Sequence, residues 1–321
     1  MQGLSKVRIR TPSRIHLGFY NIRYKNVMFG SIGLTVNRPF YDITFERCDE
    51  IEVMSSNSSK NREICKITEK VLDAIGLPGG LRMRIRSYID RHIGLGSTTQ
   101  LLMAIISAVD RLYGIKVDPW TLFKNIGRRN VSGVGVAGFL KGGFIVDSGW
   151  RDERPPQVIM RHPFPRDWRI ILIVPKRERG FSEDVEERYL MPKNPSPDLR
   201  RELLEHAFLG IIPGVVNKDF KMFTYHLEML DRALGKYYED IQGGRYLSRH
   251  AQDIVSILKD LGGRGIGQSS WGPTIYSFFE SEKRAIGAYK ALKKKFNKLG
   301  LSVDVIMCKG QNRGAIIWSE L

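Results

Sequence analysis

Residues 92–100 combine glycines, hydroxyl side chains and a helix start in a pattern that could bind an anion. They read His-Ile-Gly-Leu-Gly-Ser-Thr-Thr-Gln, follow an alternating segment at 81–89 and lead into an apolar run at 101–109. The alternation predicts a strand, and the run predicts a buried helix. The first N–H groups of a helix lack helical partners and lie at its positive end, so the turn predicts an anion site. A helix capped by Ser or Thr without a ligand is the alternative.

Two further glycine-rich segments, residues 132–143 and 262–273, interrupt the remaining sequence. Glycine at this density indicates close backbone approach or unusual dihedral angles. Near the N-terminus, Arg14 and His16 alternate with apolar residues after Pro12, so both side chains would project from one face of a strand. That face could meet an anionic ligand or solvent.

The composition indicates a folded, basic protein. The chain has 321 residues, 42% of them hydrophobic, which suits one large domain or two of ordinary size. A net charge of +17 favours anionic partners, although a basic surface unrelated to any partner is the alternative. The basic residues are spread along the chain without a nucleic-acid-binding motif, so nucleic acid is not the expected partner.

Cysteine usage and the N-terminal sequence predict a cytoplasmic protein. Cys48, Cys65 and Cys308 are widely separated and odd in number, which is typical of free thiols in a reducing compartment. Residues 1–10 lack the apolar core of a signal peptide. No run is long enough for a membrane span, so no membrane partner is expected.

Periodicity predicts alternating helices and strands along the whole chain. A glycine turn is expected at 30–34, a linker at 150–166 and a polar loop at 177–197. Helices are predicted at 60–74, 101–113, 119–127, 199–208, 214–234, 246–261 and 281–299. Strands are predicted at 7–10, 13–19, 41–45, 81–89, 168–175, 302–307 and 315–318.

The order and spacing of the three glycine-rich segments resemble the GHMP kinase superfamily. Members of that superfamily have a Gly-Leu-Gly-Ser-Ser-type phosphate loop at a helix N-terminus, a Ser-Gly-x-Asp segment before a Gly-Gly strand, and a C-terminal glycine-rich loop. The resemblance covers essentially the whole chain. It implies an α+β, GHMP-kinase-like fold of two α/β-sandwich domains, residues 1–155 with the phosphate loop and residues 156–321, with the active site between them.

Gly135 is the main departure from the kinase pattern. In the kinases that use it, the aspartate of Ser-Gly-x-Asp deprotonates the acceptor hydroxyl, and Gly135 stands at that position here. General base catalysis contributes a factor of about 10²–10⁴, so a kinase of ordinary design would be badly impaired.

A narrower resemblance fits this departure. Five segments resemble the archaeal β-ribofuranosylaminobenzene 5′-phosphate synthases of the same superfamily: Ser13–Gly18, His92–Gln100, Gly133–Ala137, Gly142–Asp147 and Gly267–Thr274. The resemblance implies transfer of a phosphoribosyl group from phosphoribosyl diphosphate to 4-aminobenzoate or a close relative such as 4-hydroxybenzoate. Pyrophosphate and carbon dioxide would leave, Mg²⁺ would assist, and the protein would form a homodimer. Because no hydroxyl must be deprotonated to act as the nucleophile, glycine at position 135 is compatible with this reaction.

The expected site residues fall into three groups. Arg14, His16 and His92 would contact phosphate or the benzoate carboxylate, because the guanidinium fork of arginine suits carboxylates. Gln268, Ser269, Ser270 and Trp271 would form the opposite wall, with Trp271 stacked on the aromatic acceptor. The diphosphate would be held by the phosphate loop and its neighbours, namely Gly94, Leu95, Gly96, Ser97, Thr98, Thr99, Gln100, Ser132 and Gly133.

Four points stay open at this stage. Trp271 and His16 could be core residues, and the metal ligands are unassigned, although Asp147, Glu183 and Asp184 are the candidate carboxylates. The protein could be a GHMP-family ATP-dependent small-molecule kinase. It could also be a regulatory or nucleic-acid-binding protein built on the same fold.

Overall fold

The fold consists of three β-sheets and the helices that pack on them. A computed structural model of the chain describes residues 5–77, 79–128, 131–181 and 194–320. The strands are β1 (Lys6–Arg10), β2 (Ser13–Tyr24), β3 (Val27–Val36), β4 (Asp42–Cys48), β5 (Glu52–Met54), β6 (Gly80–Ser87), β7 (Phe144–Asp147), β8 (Trp150–Arg151), β9 (Val158–His162), β10 (Arg169–Pro175), β11 (Arg264–Gln268), β12 (Ile275–Phe279), β13 (Val303–Cys308) and β14 (Ile316–Glu320).

The helices pack on these sheets and on one another. A π-helical stretch at Glu205–Ile211 joins α5 to α6. The helices are α1 (Ser58–Ile75), α2 (Ser97–Tyr113), α3 (Pro119–Asn125), α4 (Gly133–Lys141), α5 (Pro197–Leu204), α6 (Ile212–Val216), α7 (Phe220–Tyr237), α8 (Glu239–Gln242), α9 (Ala251–Asp260) and α10 (Glu282–Lys298).

Three strand orders describe the sheets. One sheet runs β14-β1-β4-β6-β5, a second runs β2-β3-β7-β9 with β8 paired to β3, and the third runs β11-β12-β10-β13. Strand β14 pairs antiparallel with β1, and β9 pairs with β7. Strands on both sides of residue 155 therefore share sheets, and the division of the chain into domains 1–155 and 156–321 stays a prediction.

The α+β fold and its strongest periodic elements are confirmed. Helix α2 follows strand β6 and ends at Gly114, which is left-handed with φ +72°. Its buried side chains surround most of the helix, as an apolar run at all positions predicts. The predicted helix 281–299 and strand 168–175 likewise match α10 and β10.

Two local predictions are wrong because tertiary pairing overrides turn-like composition. The expected turn at 30–34 lies within β3, and the expected linker at 150–166 contains β8 and β9. The glycine-rich segments 132–143 and 262–273, for which the sequence predicted close backbone approach or unusual dihedral angles, contain helix α4 and strand β11. Glycine lowers intrinsic helix and strand preference, but it permits the close packing that these positions have.

A single hydrophobic cluster extends through both halves of the chain. Its aromatic part joins Phe164, Trp168, Phe223 and Phe278, with ring centroids 5.0–5.9 Å apart. A second cluster fills the space between the β11-β12-β10-β13 sheet and helices α9 and α10. The shared cluster fixes the β2 sheet against α7, and this brings the sequence-distant turns together.

Two of those turns touch through backbone atoms. Gly94 has φ +84°, and a Cβ placed on it would lie 2.1 Å from the carbonyl oxygen of Ser269. A Cβ on Gly272 would lie 2.2 Å from the backbone nitrogen of Gly94. Neither position has space for a side chain, so the turn after β6 packs directly on the turn after β11.

We expect Gly272→Ala to lower the free energy of unfolding by about 1–3 kcal/mol, because the added methyl group would meet backbone atoms that cannot move aside. Urea denaturation followed by circular dichroism measures this change. Gly287→Ala is the matched control, since Gly287 lies in α10 with open space around an added Cβ. The control should raise stability by up to about 1 kcal/mol. Equal effects of the two substitutions would contradict the backbone contact.

Candidate functional site

The N-terminus of helix α2 is open. Gly96 occupies the N-cap position with φ +73°, and no side chain caps the helix among the described residues. A Cβ on Gly96 would lie 2.8 Å from Cγ of Arg14, so glycine lets this arginine lie beside the helix start. The N–H groups of the first turn of α2 and the arginine therefore face the same space, as an anion site requires.

That space is a solvent-open pocket, named here the anion pocket. The described residues that line it include two arginines and a histidine but no carboxylate. A pocket with this lining favours a ligand with several negative charges. Its lining residues are Arg14, His92, Gly94, Gly96, Ser97, Thr98, Thr99, Arg128, Gly180, Phe181, Ser270, Trp271 and Gly272.

The anion pocket gathers nine of the expected site residues and adds others. Arg128, Gly180 and Phe181 lie in loops without a recognisable motif, and the sequence reasoning missed them. The only local signals were the two adjacent arginines that begin at Arg128 and the Gly-Phe pair in the polar loop. Gly180 donates its N–H to the His92 carbonyl at 2.5 Å, so the loop of residues 177–181 closes one side of the pocket.

Hydrogen bonds hold the basic residues in place. Arg14 donates through Nη1 to the Gly94 carbonyl at 3.0 Å and through its backbone N–H to the Leu95 carbonyl at 3.1 Å. Arg91 donates to the hydroxyl of Thr98 at 3.3 Å and pairs with Glu63 at 2.6 Å. The phosphate-loop backbone is therefore fixed before any ligand binds.

Ser269 fastens the two glycine turns together. Its hydroxyl donates to the Gly94 carbonyl at 2.7 Å and accepts the backbone N–H of His16 at 3.1 Å. Thr274 adds a parallel link, donating through Oγ1 to the Ile93 carbonyl at 2.6 Å. Ser269 is fully buried and lines neither pocket described here, so the geometry gives it a positioning role.

Leu95 and Gln100 also lie away from the pocket, inside the core. Leu95 is fully buried among apolar residues. Gln100 is fully buried and donates through Nε2 to the Gly135 carbonyl at 2.9 Å, which ties helix α2 to α4. A Cβ on Gly135 would lie 3.1 Å from Cγ2 of Thr99. Position 135 thus lies next to Thr99 of the anion pocket. A glycine at this position supplies no side chain that accepts a proton.

Ser132 and Gly133 pack around Asp147 instead of the anion pocket. The Ser132 hydroxyl caps helix α4 at the Val134 N–H and lies 3.2 Å from Asp147 Oδ2. Asp147 is fully buried and also accepts bonds from Ser31, Val134 and Gly149. Burial raises the pKa of Asp147, although these hydrogen bonds oppose the rise. This carboxylate therefore organises the protein interior and is turned away from the pocket.

Of the candidate magnesium ligands, Asp147 alone belongs to the described residues. Asp147 is held by the protein, and Glu183 and Asp184 lie outside the described residues. Within residues 5–77, 79–128, 131–181 and 194–320, no group of three or more histidine, cysteine or acidic side chains could hold a metal ion. The described residues therefore do not fit a metal site built from protein ligands alone.

A second pocket, named here the aromatic pocket, adjoins the first. It is also open to solvent and shares Ser270 and Trp271 with the anion pocket. Its remaining lining residues come from β2, α7 and its C-terminal end, α8 and the segment after it, and β11. They are His16, Leu17, Gly18, Phe19, Asp231, Leu234, Gly235, Tyr238, Gln242, Arg245 and Gln268.

Trp271 forms the wall between the two pockets. It is 5% exposed, and its ring lies 4.6 Å from the Tyr238 ring and 5.4 Å from the Phe181 ring. Ser270 beside it has a positive φ of 56°, which turns the chain sharply at this wall. Trp271 is therefore both a packed residue and a pocket surface that an aromatic ligand could meet.

His16 faces the aromatic pocket, and Arg14 faces the anion pocket. The His16 ring packs on Phe19 with centroids 4.6 Å apart. Burial lowers the pKa of the His16 imidazole well below its ordinary value, and the neighbouring Arg14 guanidinium lowers it further. His16 is therefore neutral at pH 7, which suits hydrogen bonding to a polar aromatic ligand better than pairing with a phosphate. Gln268 is tied by its side chain to the Leu247 N–H and the Ser270 carbonyl.

None of the described helices combines the length and apolar character needed to cross a bilayer.

Two family models match the chain. The GHMP kinases N terminal domain matches residues 62–143, which include the open end of α2, and the GHMP kinases C terminal domain matches residues 226–298. Solved structures share the fold: a homoserine kinase from Cytophaga hutchinsonii has a TM-score of 0.72 at 19% identity, covering 98% of each chain. The mevalonate kinase of Methanococcus jannaschii has a TM-score of 0.66 at 16% identity, covering 97% of this chain and all of that one.

Curated relatives extend along nearly the whole chain. The β-ribofuranosylphenol 5′-phosphate synthase of Methanothermobacter thermautotrophicus is 30% identical, covering 96% of this chain and 98% of the relative. The enzyme of the same name from Methanocaldococcus jannaschii is also 30% identical, covering 97% and 99%. The protein therefore belongs to the β-ribofuranosylphenol 5′-phosphate synthase family within the GHMP kinase superfamily.

Proposed function

We propose that this protein transfers the phosphoribosyl group of phosphoribosyl diphosphate to the ring carbon of an aromatic acid, with release of pyrophosphate and carbon dioxide. The observation that carries the proposal is the shared wall of Ser270 and Trp271, which places an anion pocket beside an aromatic pocket. The two pockets match the two chemically different substrates of such a transfer. The names of the curated relatives, which denote synthesis of a ribosylated phenol phosphate, support the same reaction.

The anion pocket suits the diphosphate donor. As the bond from ribose to pyrophosphate breaks, negative charge accumulates on the leaving group, and the ribose carbon becomes electron-poor. The N–H groups at the start of α2, together with Arg14 and Arg128, line the space where that charge would develop. Preorganised donors of this kind stabilise a transition state without reorganising during the reaction.

The acceptor is an aromatic acid with an electron-donating substituent. Our sequence-based expectation is 4-aminobenzoate, whereas the names of the relatives denote a phenol product, which would derive from 4-hydroxybenzoate. Both acids are flat, which suits a pocket lined by aromatic side chains such as Phe19, Tyr238 and Trp271. We propose this class of acceptor and test the two acids side by side.

We propose that magnesium binds together with the diphosphate donor. The described lining of the anion pocket has no carboxylate, so a magnesium ion there would be carried by the diphosphate oxygens, which Mg²⁺ prefers as ligands. Bound in this way, the ion would neutralise charge on the leaving group. We assign no step to it and no protein ligand.

Location and assembly stay predictions. The scattered cysteines predict a cytoplasmic protein, and the family resemblance predicts a homodimer. Neither prediction enters the proposed chemistry, because both pockets are built from a single chain.

We expect purified protein, phosphoribosyl diphosphate, Mg²⁺ and 4-aminobenzoate or 4-hydroxybenzoate labelled in the carboxylate to release labelled carbon dioxide only when both substrates are present. Scintillation counting of trapped gas measures the release. ATP with a small alcohol replaces the two substrates in a parallel reaction, because Gly135 removes the base of an ordinary kinase. Phosphorylation of an alcohol, without carbon dioxide from either acid, would overturn the proposal in favour of the GHMP-family kinase.

We expect Ser97→Ala to raise the KM for phosphoribosyl diphosphate roughly 10- to 100-fold, because a hydrogen bond to a charged ligand contributes about 1.5–3 kcal/mol. Steady-state kinetics at saturating aromatic acid measure the change. Ser107→Ala is the matched control on the same helix, since the Ser107 hydroxyl donates to the Met103 carbonyl and lies outside both pockets. An unchanged KM in Ser97→Ala would remove this hydroxyl from the donor site.

A further inference from the structure

The aromatic pocket contains polar groups that the proposed transfer leaves without a role. His16 Nε2, Tyr238 Oη and Arg245 Nε are buried and have no hydrogen-bond partner among the described residues. All three residues line this pocket, although they belong to β2, to the end of α7 and to the segment after α8. An unpaired buried polar atom costs about 1–3 kcal/mol. Three such atoms around one cavity therefore indicate a polar ligand that pairs with them.

Asp231 lies in the same pocket as a firmly held carboxylate. It accepts a bond from Arg245 Nη2 at 3.0 Å and from the Gln268 N–H at 2.9 Å. Burial raises the pKa of Asp231, although the Arg245 guanidinium opposes the rise. The Tyr246 hydroxyl also hydrogen-bonds to Asp231, and Glu228 and Tyr276 are further titratable groups in its electrostatic surroundings.

The reaction itself decides which end of the acid lies near Asp231. The new bond forms at the ring carbon that bears the carboxylate, so this carbon must face the anion pocket at the wall of Ser270 and Trp271. The hydroxyl or amino group is para to that carbon and points to the opposite end of the ring. Asp231 and Arg245 line the aromatic pocket and not the anion pocket. They are therefore placed for the para substituent.

We propose that Asp231, held by Arg245, binds the ring substituent para to the reacting carbon and accepts the proton of a phenolic substrate. This inference rests on the proposed function, which it deepens by assigning a proton acceptor. A carboxylate with a raised pKa is the better base for this step.

The proposed step is balanced in atoms and electrons. The ring carbon bonds to C1 of ribose, and the bond from C1 to pyrophosphate breaks with its electron pair on pyrophosphate. The phenol oxygen becomes a carbonyl as its proton passes to Asp231. The ring-to-carboxylate bond then breaks, carbon dioxide leaves, the electron pair restores the aromatic ring, and Asp231 returns the proton to the oxygen. An amino group donates its lone pair without losing a proton, so it needs no acceptor.

Asp231→Asn tests the proton acceptor. We expect kcat with 4-hydroxybenzoate to fall about 10²–10⁴-fold, the usual contribution of a general base, while kcat with 4-aminobenzoate falls less than about tenfold. Equal losses with both acids, or no loss with either, would overturn the assignment. A wild-type protein that converts 4-aminobenzoate alone would also overturn it. Absence of turnover by the wild type with both acids would instead contradict the proposed function.

Tyr238→Phe tests the pocket in case the Asp231 variant does not fold. The Tyr238 hydroxyl has no partner to lose, so stability should be kept while the KM for the aromatic acid rises about tenfold and the KM for phosphoribosyl diphosphate stays unchanged. Tyr276→Phe is the matched control, because its buried hydroxyl is also unpaired but lies outside the pocket lining. Equal KM values in Tyr238→Phe and wild type would place the acid elsewhere.

Discussion

The contact between the turn after β6 and the turn after β11 is the constraint on which both pockets depend. Its core is backbone against backbone, at Gly94 and Gly272, where any side chain would clash. The hydroxyls of Ser269 and Thr274 add hydrogen bonds across the same contact. Because both turns are fixed there, the open end of α2 and the wall at Trp271 keep fixed positions relative to each other. The same contact therefore positions both pockets.

The division of polarity between the pockets follows from this arrangement. Arg14 and Arg128 lie on the side of the helix N-terminus, where a multiply charged ligand is stabilised by the backbone N–H groups as well. On the other side of Trp271, His16 is kept neutral by burial, aromatic rings join the lining, and the charges of Asp231 and Arg245 pair with each other. In the proposed reaction, the charged donor and the flat acceptor would bind on separate sides of Trp271, with their reacting atoms at the shared wall.

The family also illustrates how a kinase fold can host other chemistry. The position of the kinase aspartate is occupied by Gly135, which packs against Thr99 beneath the anion pocket. The fold keeps the features that hold phosphates, namely the glycine turn and the helix N-terminus, and these stabilise a leaving diphosphate as readily as a transferred phosphate. Proton transfer, where the acceptor requires it, is then assigned to a different element, at Asp231 on α7.

The sequence by itself determined the α+β fold and helix α2 and predicted an anion site at the N-terminus of that helix, because periodicity and helix-end chemistry are local properties. It also identified most residues of the anion pocket, since the majority of them lie close together in the motif at residues 92–100. It did not distinguish Ser269, which fastens the turns, from Ser270, which lines the pockets. Only the tertiary structure shows that Arg128, Tyr238 and Arg245 line the pockets. They are far from the motif along the chain, and only the packing of α7 and the loops against β2 brings them to the same cavities.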